Sequence, residues 1–182
     1  AIDSRDNPHI AFYGNMSLNY ASWDGLKWQF ETIEAGRQQA PDRSWNMTGA
    51  WISLKLDVND NPHISYWCPP SYWSGGQVKY ASNEGSGWAI ENVGSVVRDD
   101  GYIYTSLALD SRGIPHIVYR GDLGLMYAVR DGFGWNLQTV DYSLKPAYCM
   151  RAPSIAIDRN DQPHISYIDD CRFSTLKYAF LN

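Results

Sequence analysis

Four histidines are the residues of this sequence with the most obvious chemical potential. Each follows a proline and lies six residues after an aspartate; they are His9, His63, His116 and His164. Imidazole titrates near neutral pH and binds metals, so four of them around an axis could hold an ion. All four nevertheless occupy one repeat position, and a repeated residue needs only a repeated structural role. We therefore expect each imidazole to hydrogen-bond to a turn or to the aspartate six residues earlier, and we predict no metal site and no cofactor.

The segment that precedes His63 has carboxylate and amide groups at alternate positions. Asp57, Asn59 and Asn61 resemble the first half of a calcium loop, but Cys68 stands where such a loop has its twelfth-position glutamate. Two of the four copies of this segment carry arginine at the third position, which also breaks the pattern. The segment therefore predicts a tight hairpin turn.

Acidic residues offer a second kind of chemistry, because a pair of carboxyl groups can hydrolyse a glycosidic bond. Asp141 and Asp169 are examples among the aspartates that fall between the predicted strands. Sequence cannot give the separation of two carboxyls, and most charges of this kind are solvated. The chain contains no nucleophile elbow, phosphate loop or dinucleotide fingerprint. A glycoside-active enzyme stays an alternative, but we favour a protein without enzymatic activity.

Composition excludes several partners. The 182 residues carry a net charge of -5, which disfavours nucleic acid, and no apolar run is long enough for a membrane span. Two sequons, at Asn15 and Asn46, suit a secreted or cell-surface glycoprotein. Residues 1 to 3 begin inside a repeat, so the chain reads as a piece of something longer.

The elements that position these residues form a fourfold repeat. After each Pro-His-Ile comes Tyr-Ala, and in three copies a Trp follows eight residues after that Tyr, with Ile or Val five residues later. Alternating apolar residues, β-branched and aromatic content and Asp/Asn/Gly/Pro clusters predict four short strands in each unit and no helix. We predict one domain, 1–182, with units at about 1–47, 48–100, 101–149 and 150–182.

Four units of this kind, each a four-stranded antiparallel meander, resemble the blades of a β-propeller. The closest resemblance is to the Asp-box-like and other short propeller repeats of bacterial and archaeal surface proteins, and it rests on three motifs: the turn from Asp to Pro-His-Ile, the Tyr-Ala pair and Gly-x-x-Trp. The resemblance implies an all-β fold of four-stranded antiparallel blades, with the first and last blades incomplete. A solenoid of sheets is the rival architecture. The chain could close as a four-bladed ring, which we prefer, pair with a second copy to make eight blades, or belong to a larger propeller.

Unequal spacings locate the candidate functional surface. The connections that vary in length are those between the second and third strands and between units, and both leave the sheets at the same end. Variable loops on a rigid scaffold commonly carry function. Cys149 and Cys171 fall at this end, so we predict a disulfide between them, against the alternative of two free thiols, with Cys68 unpaired or linked to another chain.

Aromatic residues outside the repeat pattern cluster at this end around the second unit. Flat aromatics flanked by polar groups stack on sugars or anchor proteins, although they can equally pack beneath long loops. Arg120 begins an Arg-Gly-Asp adhesion tripeptide on a predicted exposed loop. The candidate ligand-binding residues are Trp45, Trp51, Trp67, Tyr72, Trp73, Tyr102, Tyr104 and Arg120. We predict a module for adhesion or for binding carbohydrate or an extracellular protein; a structural repeat of a surface assembly is a further alternative.

Overall fold

The structure is a computed structural model, and it describes residues 1–36, 48–69, 75–96, 103–142, 150–169 and 174–181. Within these ranges every regular element is a strand. The described residues contain no helix that could cross a membrane. The strands, in chain order, are β1 (His9–Gly14), β2 (Ser17–Trp23), β3 (Trp28–Glu34), β4 (Ala50–Leu56), β5 (Pro62–Cys68), β6 (Gly76–Ser82), β7 (Ala89–Val96), β8 (Thr105–Leu109), β9 (Pro115–Gly121), β10 (Gly124–Asp131), β11 (Gly134–Tyr142), β12 (Met150–Ile157), β13 (Pro163–Asp169) and β14 (Thr175–Phe180).

The strands form four antiparallel up-and-down sheets, one for each repeat unit. The second and third sheets have four strands, β4-β5-β6-β7 and β8-β9-β10-β11. The first, β1-β2-β3, and the fourth, β12-β13-β14, have three. In the first sheet the place of an inner strand is marked only by a single bridge between Ile2 and Pro8. The prediction of incomplete first and last units is therefore confirmed.

The aspartate of each repeat builds the turn between the first and second strands. In the second sheet, Asp57 Oδ1 accepts the backbone N–H groups of Asn59 and Asn61, both at 2.8 Å. Asp60 in the same turn has a φ of 65°, a left-handed conformation that aspartate tolerates better than most residues. The equivalent hydrogen bonds recur in the other three units. The tight hairpin turn is thus confirmed, and the calcium-loop resemblance is explained by turn chemistry.

Each sheet has two faces that play different parts in packing. We call the face that carries Ile10 in the first sheet, and its equivalents in the others, the leading face. The opposite face, which carries Leu18 and Tyr20 in the first sheet, is the trailing face. Three apolar cores fill the spaces between neighbouring sheets, and in each the trailing face of one sheet meets the leading face of the next. The core between the first two sheets contains Leu18, Tyr20, Ile64, Tyr66 and Ala81.

Stacking of this kind leaves the four sheets open at both ends. Among the described residues no apolar core joins the fourth sheet to the first, and Ile10 and Leu176, on the two faces that would meet, are 46% and 76% exposed. The two chain ends instead pair within their own sheets: the Ala1 carbonyl accepts the His9 N–H, and the Leu181 N–H donates to the Pro163 carbonyl. The preferred four-bladed ring is therefore not formed in this structure, because a closed ring would bring these two sheets together.

Candidate ligand-binding face

The predicted functional surface is the end of the sheets from which the variable connections leave. We call it the loop face. The described connections here include the tight hairpin between β1 and β2 and the one between β9 and β10. Apart from Asn182, the residues outside the described ranges all belong by sequence to the longer connections at this end. Seven predicted residues lie outside the described residues: Trp45, Asn46, Tyr72, Trp73, Tyr102, Cys149 and Cys171.

Two of the predicted aromatic residues, Trp51 and Tyr104, form a pair at the loop face. Both lie six residues before the aspartate of their own repeat, so they occupy equivalent positions at the loop-face ends of neighbouring inner strands. Their rings meet edge to face, with centroids 5.9 Å apart and an interplanar angle of 73°. Both side chains are half-buried, which leaves part of each ring accessible. The structure therefore brings together two of the predicted ligand-binding residues.

The backbone around Trp51 holds this pair in an unusual conformation. The residue has a φ of 47°, and the pairing of β4 with β5 shifts register between Ala50 and Ser53. A left-handed conformation is uncommon for a bulky side chain, and β-bulges often redirect side chains next to functional sites. Thr105 Oγ1 donates a 2.8 Å hydrogen bond to the Trp51 carbonyl and so ties the bulge to the neighbouring inner strand. The same left-handed φ and register shift recur at Ala152 in β12, six residues before Asp158, so the bulge belongs to the second and fourth sheets, and in the second it carries the Trp51 ring that contacts Tyr104.

Trp67 and Arg120 do not belong to this exposed surface, which corrects their prediction as ligand-binding residues. Both lie four residues after the histidine of their repeat, on a trailing face that the next sheet covers. Trp67 has no exposed surface and Arg120 is 3% exposed. The Arg-Gly-Asp tripeptide likewise begins inside β9 rather than on an exposed loop. Their fixed distance from the histidine is the sequence signal that could have assigned both residues to the core.

Two junctions between sheets carry a carboxylate clamp near the loop face. Between the first and second sheets, Glu34 accepts hydrogen bonds from Tyr66 Oη at 2.6 Å and from Lys79 Nζ at 2.5 Å. Between the third and fourth sheets, Asp141 accepts equivalent bonds from Tyr167 Oη at 2.6 Å and Lys177 Nζ at 2.8 Å. Because the same three roles recur at equivalent positions, the clamps are structural links between sheets.

The electrostatics of the second clamp fit that structural role. Burial opposes the ionisation of Asp141, but hydrogen bonds from Lys177 and Tyr167 outweigh it and lower the Asp141 pKa. Hydrogen bonds to Asp141 and to Asp169 raise the Lys177 pKa above its usual range. A general acid needs a raised carboxyl pKa, whereas hydrogen bonds lower the carboxyl pKa at six aspartates of the described ranges: Asp3, Asp24, Asp57, Asp110, Asp141 and Asp158. These carboxylates are suited to holding cations rather than to donating protons.

The four histidines share one structural contact, but its partner differs from the predicted one: Nδ1 of each ring hydrogen-bonds to the tyrosine of Tyr-Ala, whereas Nε2 lies 3.5–3.8 Å from the aspartate six residues earlier and makes no hydrogen bond to it. In the third sheet, His116 Nδ1 lies 2.6 Å from Tyr127 Oη, and its Nε2 lies 3.8 Å from Asp110 Oδ2. Burial raises the Tyr127 pKa to about 12, so the hydroxyl beside Nδ1 stays protonated. Burial also lowers the His116 pKa, against the attraction of Asp110.

The same Asp, His and Tyr arrangement recurs in the other three sheets, and the tyrosine of Tyr-Ala is its third member. Within the described part of the chain, no group of three or more His, Cys, Asp or Glu side chains is placed to hold a metal ion. Each imidazole faces the aspartate and tyrosine of its own sheet rather than a common centre.

Two further predicted positions can be placed. Asn15 lies exposed in the hairpin between β1 and β2, with a φ of 50°, so its amide is accessible from solvent. Cys68, at the end of β5, is a free thiol, half-buried, with its Sγ 3.5 Å from Thr48 Oγ1. Asn15 as a glycosylation site remains a prediction.

Comparison with known proteins shows the fold. No protein-family model and no curated protein matches the sequence. The chain is similar to the solved structure of NanB sialidase from Streptococcus pneumoniae, with a TM-score of 0.56 and 14% identity over 98% of this chain and 28% of that one. It is also similar to AofleA from Arthrobotrys oligospora, with a TM-score of 0.59 and 11% identity over 97% of this chain and 50% of the other.

A third similar structure is a variant of Aleuria aurantia lectin in complex with Fucα1-6GlcNAc, with a TM-score of 0.57 and 15% identity over 96% of this chain and 58% of that one. The chain therefore spans 28% of the NanB chain, half of the AofleA chain and 58% of the Aleuria aurantia lectin chain. At these identities the likeness is one of fold. Together with the four antiparallel sheets, it shows that the chain has a β-propeller fold, and each sheet is a blade.

Proposed function

We propose that this chain is a secreted or surface-exposed β-propeller module that binds a ligand, carbohydrate or an extracellular protein, through its loop face. The observation that carries the proposal is the half-buried pair of Trp51 and Tyr104, which contact each other at the loop-face ends of the second and third inner strands. Partly exposed aromatic rings offer a large contact area at a small cost in side-chain entropy, and their faces suit the apolar faces of sugar rings.

The composition of the surrounding connections supports a larger aromatic surface. Trp45, Tyr72, Trp73 and Tyr102 all fall by sequence in connections that leave the sheets at the loop face. A surface with several aromatic anchors can bind through a few dominant contacts while the polar residues between them provide specificity. We assign these four residues to the same ligand-binding surface as Trp51 and Tyr104.

The fold is compatible with sugar binding but does not by itself carry the proposal. One structural neighbour is named a sialidase, and another is a lectin in complex with a fucosylated disaccharide. A propeller can support unrelated functions, so function has to be argued from the site. Carbohydrate is the first ligand class to test because it is the class that aromatic side chains at a loop face recognise by stacking.

A glycan array tests the proposal directly. We expect the protein to bind a defined set of glycans, and we expect Tyr104→Ala and Trp51→Ala to weaken that binding at least tenfold because each removes one ring of the pair. Phe133→Ala is the matched control, since Phe133 is a fully exposed aromatic in the hairpin at the opposite end of the sheets. Circular dichroism should show that all three variants keep the fold.

Binding to neither glycans nor extracellular proteins would contradict the proposal, as would equal losses in Phe133→Ala and Tyr104→Ala. Trp73→Ala should reproduce the loss if the neighbouring connection takes part in the same surface.

The proposed location can be tested independently of the ligand. Expression through a glycosylating secretory pathway should attach glycans at Asn15 and Asn46, which an Asn→Gln change at each site would remove. In the same oxidising compartment, Cys149 and Cys171 should form a disulfide, detected as a linked peptide by mass spectrometry before reduction. A protein that emerges unglycosylated and with both thiols free would contradict the secreted assignment.

A further inference from the structure

The two ends of the stack of blades expose apolar side chains that are buried elsewhere in the fold. On the leading face of the first blade Ile10 is 46% exposed, although its equivalents Ile64, Ile117 and Ile165 are fully buried. Phe30 on the same face is also exposed. This leading face therefore has the composition of a core surface with no blade in front of it.

The trailing face of the fourth blade shows the same contrast. Leu176 is 76% exposed, whereas its equivalents in the first three blades, Leu18, Val78 and Leu125, are buried. Tyr178 is 64% exposed, although the corresponding tyrosines are buried by the next blade. Large exposed apolar patches on a folded protein commonly mark an interaction surface.

The internal junctions show what kind of surface fits these two faces. At the first junction, the Trp88 ring packs edge to face on Tyr20 with a centroid distance of 5.2 Å, and its Nε1 donates to Glu31 Oε2 at 2.8 Å. Trp135 contacts Tyr80 in the same way, at 5.3 Å. The open leading face presents the equivalent tryptophan, Trp28, and the open trailing face presents the equivalent tyrosine, Tyr178. The two open faces are thus the two halves of one junction.

The turns at the opposite end from the loop face add charge complementarity. At the first junction the residue after the repeat aspartate, Ser4, donates from its N–H and Oγ to Asp60, at 2.9 and 2.6 Å. Ser111 and Asp161 make the same link at the third junction. At the open ends the donor position is occupied by Arg159 and the acceptor position by Asp6, both exposed.

We propose that a second copy of this chain covers these faces, with the trailing face of the fourth blade of each copy docked on the leading face of the first blade of the other. Trp28 of one copy then packs on Tyr178 of the other, and Arg159 pairs with Asp6. The contact is head to tail, so copies joined by it form a closed ring when the rotation between them closes and an open filament when it does not. Propellers have four to eight blades, which makes two copies and eight blades the assembly that fits. This inference does not depend on the ligand of the loop face.

Light scattering after size-exclusion chromatography tests the proposal. We expect the wild-type chain to have the mass of a dimer. Ile10→Glu changes the leading face and Leu176→Glu changes the trailing face. Each variant should be monomeric, because a dimer of either one would bury a glutamate at both of its contacts between copies. Leu123→Glu is the matched control and should stay dimeric, since Leu123 is an exposed leucine in a hairpin of the third blade, away from both faces.

Mixing the two monomeric variants separates a head-to-tail contact from a symmetric one. Ile10→Glu still has an intact trailing face and Leu176→Glu an intact leading face, so the mixture should recover a heterodimer held by one junction. A charge exchange adds a second readout: Asp6→Arg and Arg159→Asp should each weaken the dimer at low salt, and the double variant should restore it.

Three results would overturn the proposal: a wild-type monomer at micromolar concentration, a dimer that persists in Leu176→Glu, or a mixture of the two variants that stays monomeric. The first would mean that another protein or a further segment of chain covers the faces. The second and third would mean that the copies associate through a different surface.

Discussion

One leucine position in the repeat allows the packing between blades to be measured with its own internal control. Leu18, Leu125 and Leu176 all lie two residues before the tyrosine of Tyr-Ala, on the trailing faces of the first, third and fourth blades. The first two are buried by the following blade, and the third is exposed. Leu→Ala at all three positions therefore compares the stability cost at two buried junctions with the cost at an open face. The residue type and its position in the strand are the same in all three.

The expected magnitudes follow from burial. Leu→Ala removes three carbon atoms, worth about 0.8 kcal/mol each in transfer free energy, and in a rigid core it also leaves a cavity. Leu18→Ala and Leu125→Ala should each lower the free energy of unfolding by roughly 2–5 kcal/mol. Leu176→Ala should change it by less than about 0.5 kcal/mol in the monomer, because the side chain already faces solvent.

Urea denaturation followed by circular dichroism provides the measurement. All three substitutions should be introduced together with Ile10→Glu, which prevents a second copy from covering Leu176. A cost at Leu176 equal to that at Leu18 and Leu125 would refute the open end of the stack. It would mean that the fourth blade packs on the first within one chain, as in the four-bladed ring.

Two further predictions concern the junctions and the turns. Gly94→Ala should cost roughly 1–3 kcal/mol in urea denaturation because its Cβ would lie 2.2 Å from Tyr119 Oη in a packed junction, and Tyr119→Phe should recover part of that loss; equal stability of wild type and Gly94→Ala would contradict this. Burial opposes the ionisation of Asp57, but hydrogen bonds from Asn61 and Asn59 lower its pKa below 3.8, so its carboxylate stabilises the fold above that pH and the contribution is lost as the pH falls. Asp57→Asn should therefore flatten the loss of unfolding free energy below about pH 4, and a slope identical to that of the wild type would show that the turn does not titrate in this way.

Sequence spacing predicted the fold because the same physical constraints act in every unit. An aspartate that accepts two turn N–H groups, a proline at the start of a strand and a buried histidine bonded to a tyrosine each recur at a fixed distance. The candidate site was predicted less well, since Trp67 was judged by residue type and not by its distance from His63. That distance places it on a trailing face, where the next blade buries it. The bulge at Trp51 recurs at Ala152, the equivalent position of the fourth unit, and since a tryptophan and an alanine stand there, residue type did not predict it.

The three junctions between blades are of two kinds that alternate along the chain. The residues shared by all four units could not predict this alternation, and it indicates which kind of junction should follow the fourth blade. The first and third junctions have a carboxylate clamp and a Ser–Asp link. The second junction instead places Gly94 against Tyr119, at the position where the clamps have Glu34 and Asp141. The blades therefore come in two types: the first and third provide the clamp carboxylate, and the second and fourth provide the clamp lysine.

A junction that follows the fourth blade should consequently lack the carboxylate clamp, as the second junction does, although Arg159 and Asp6 stand at the positions of the Ser–Asp link. The leading face of the first blade fits that requirement. It has Phe12 where the other blades have a tyrosine, so no hydroxyl there needs a carboxylate across the junction. It also has Asn19 in place of the clamp lysine, and the Asn19 amide is already bonded to Gly14 and Ser17 within its own sheet. A first blade placed after a fourth blade thus preserves the alternation, and two copies of the chain continue it around an eight-bladed ring.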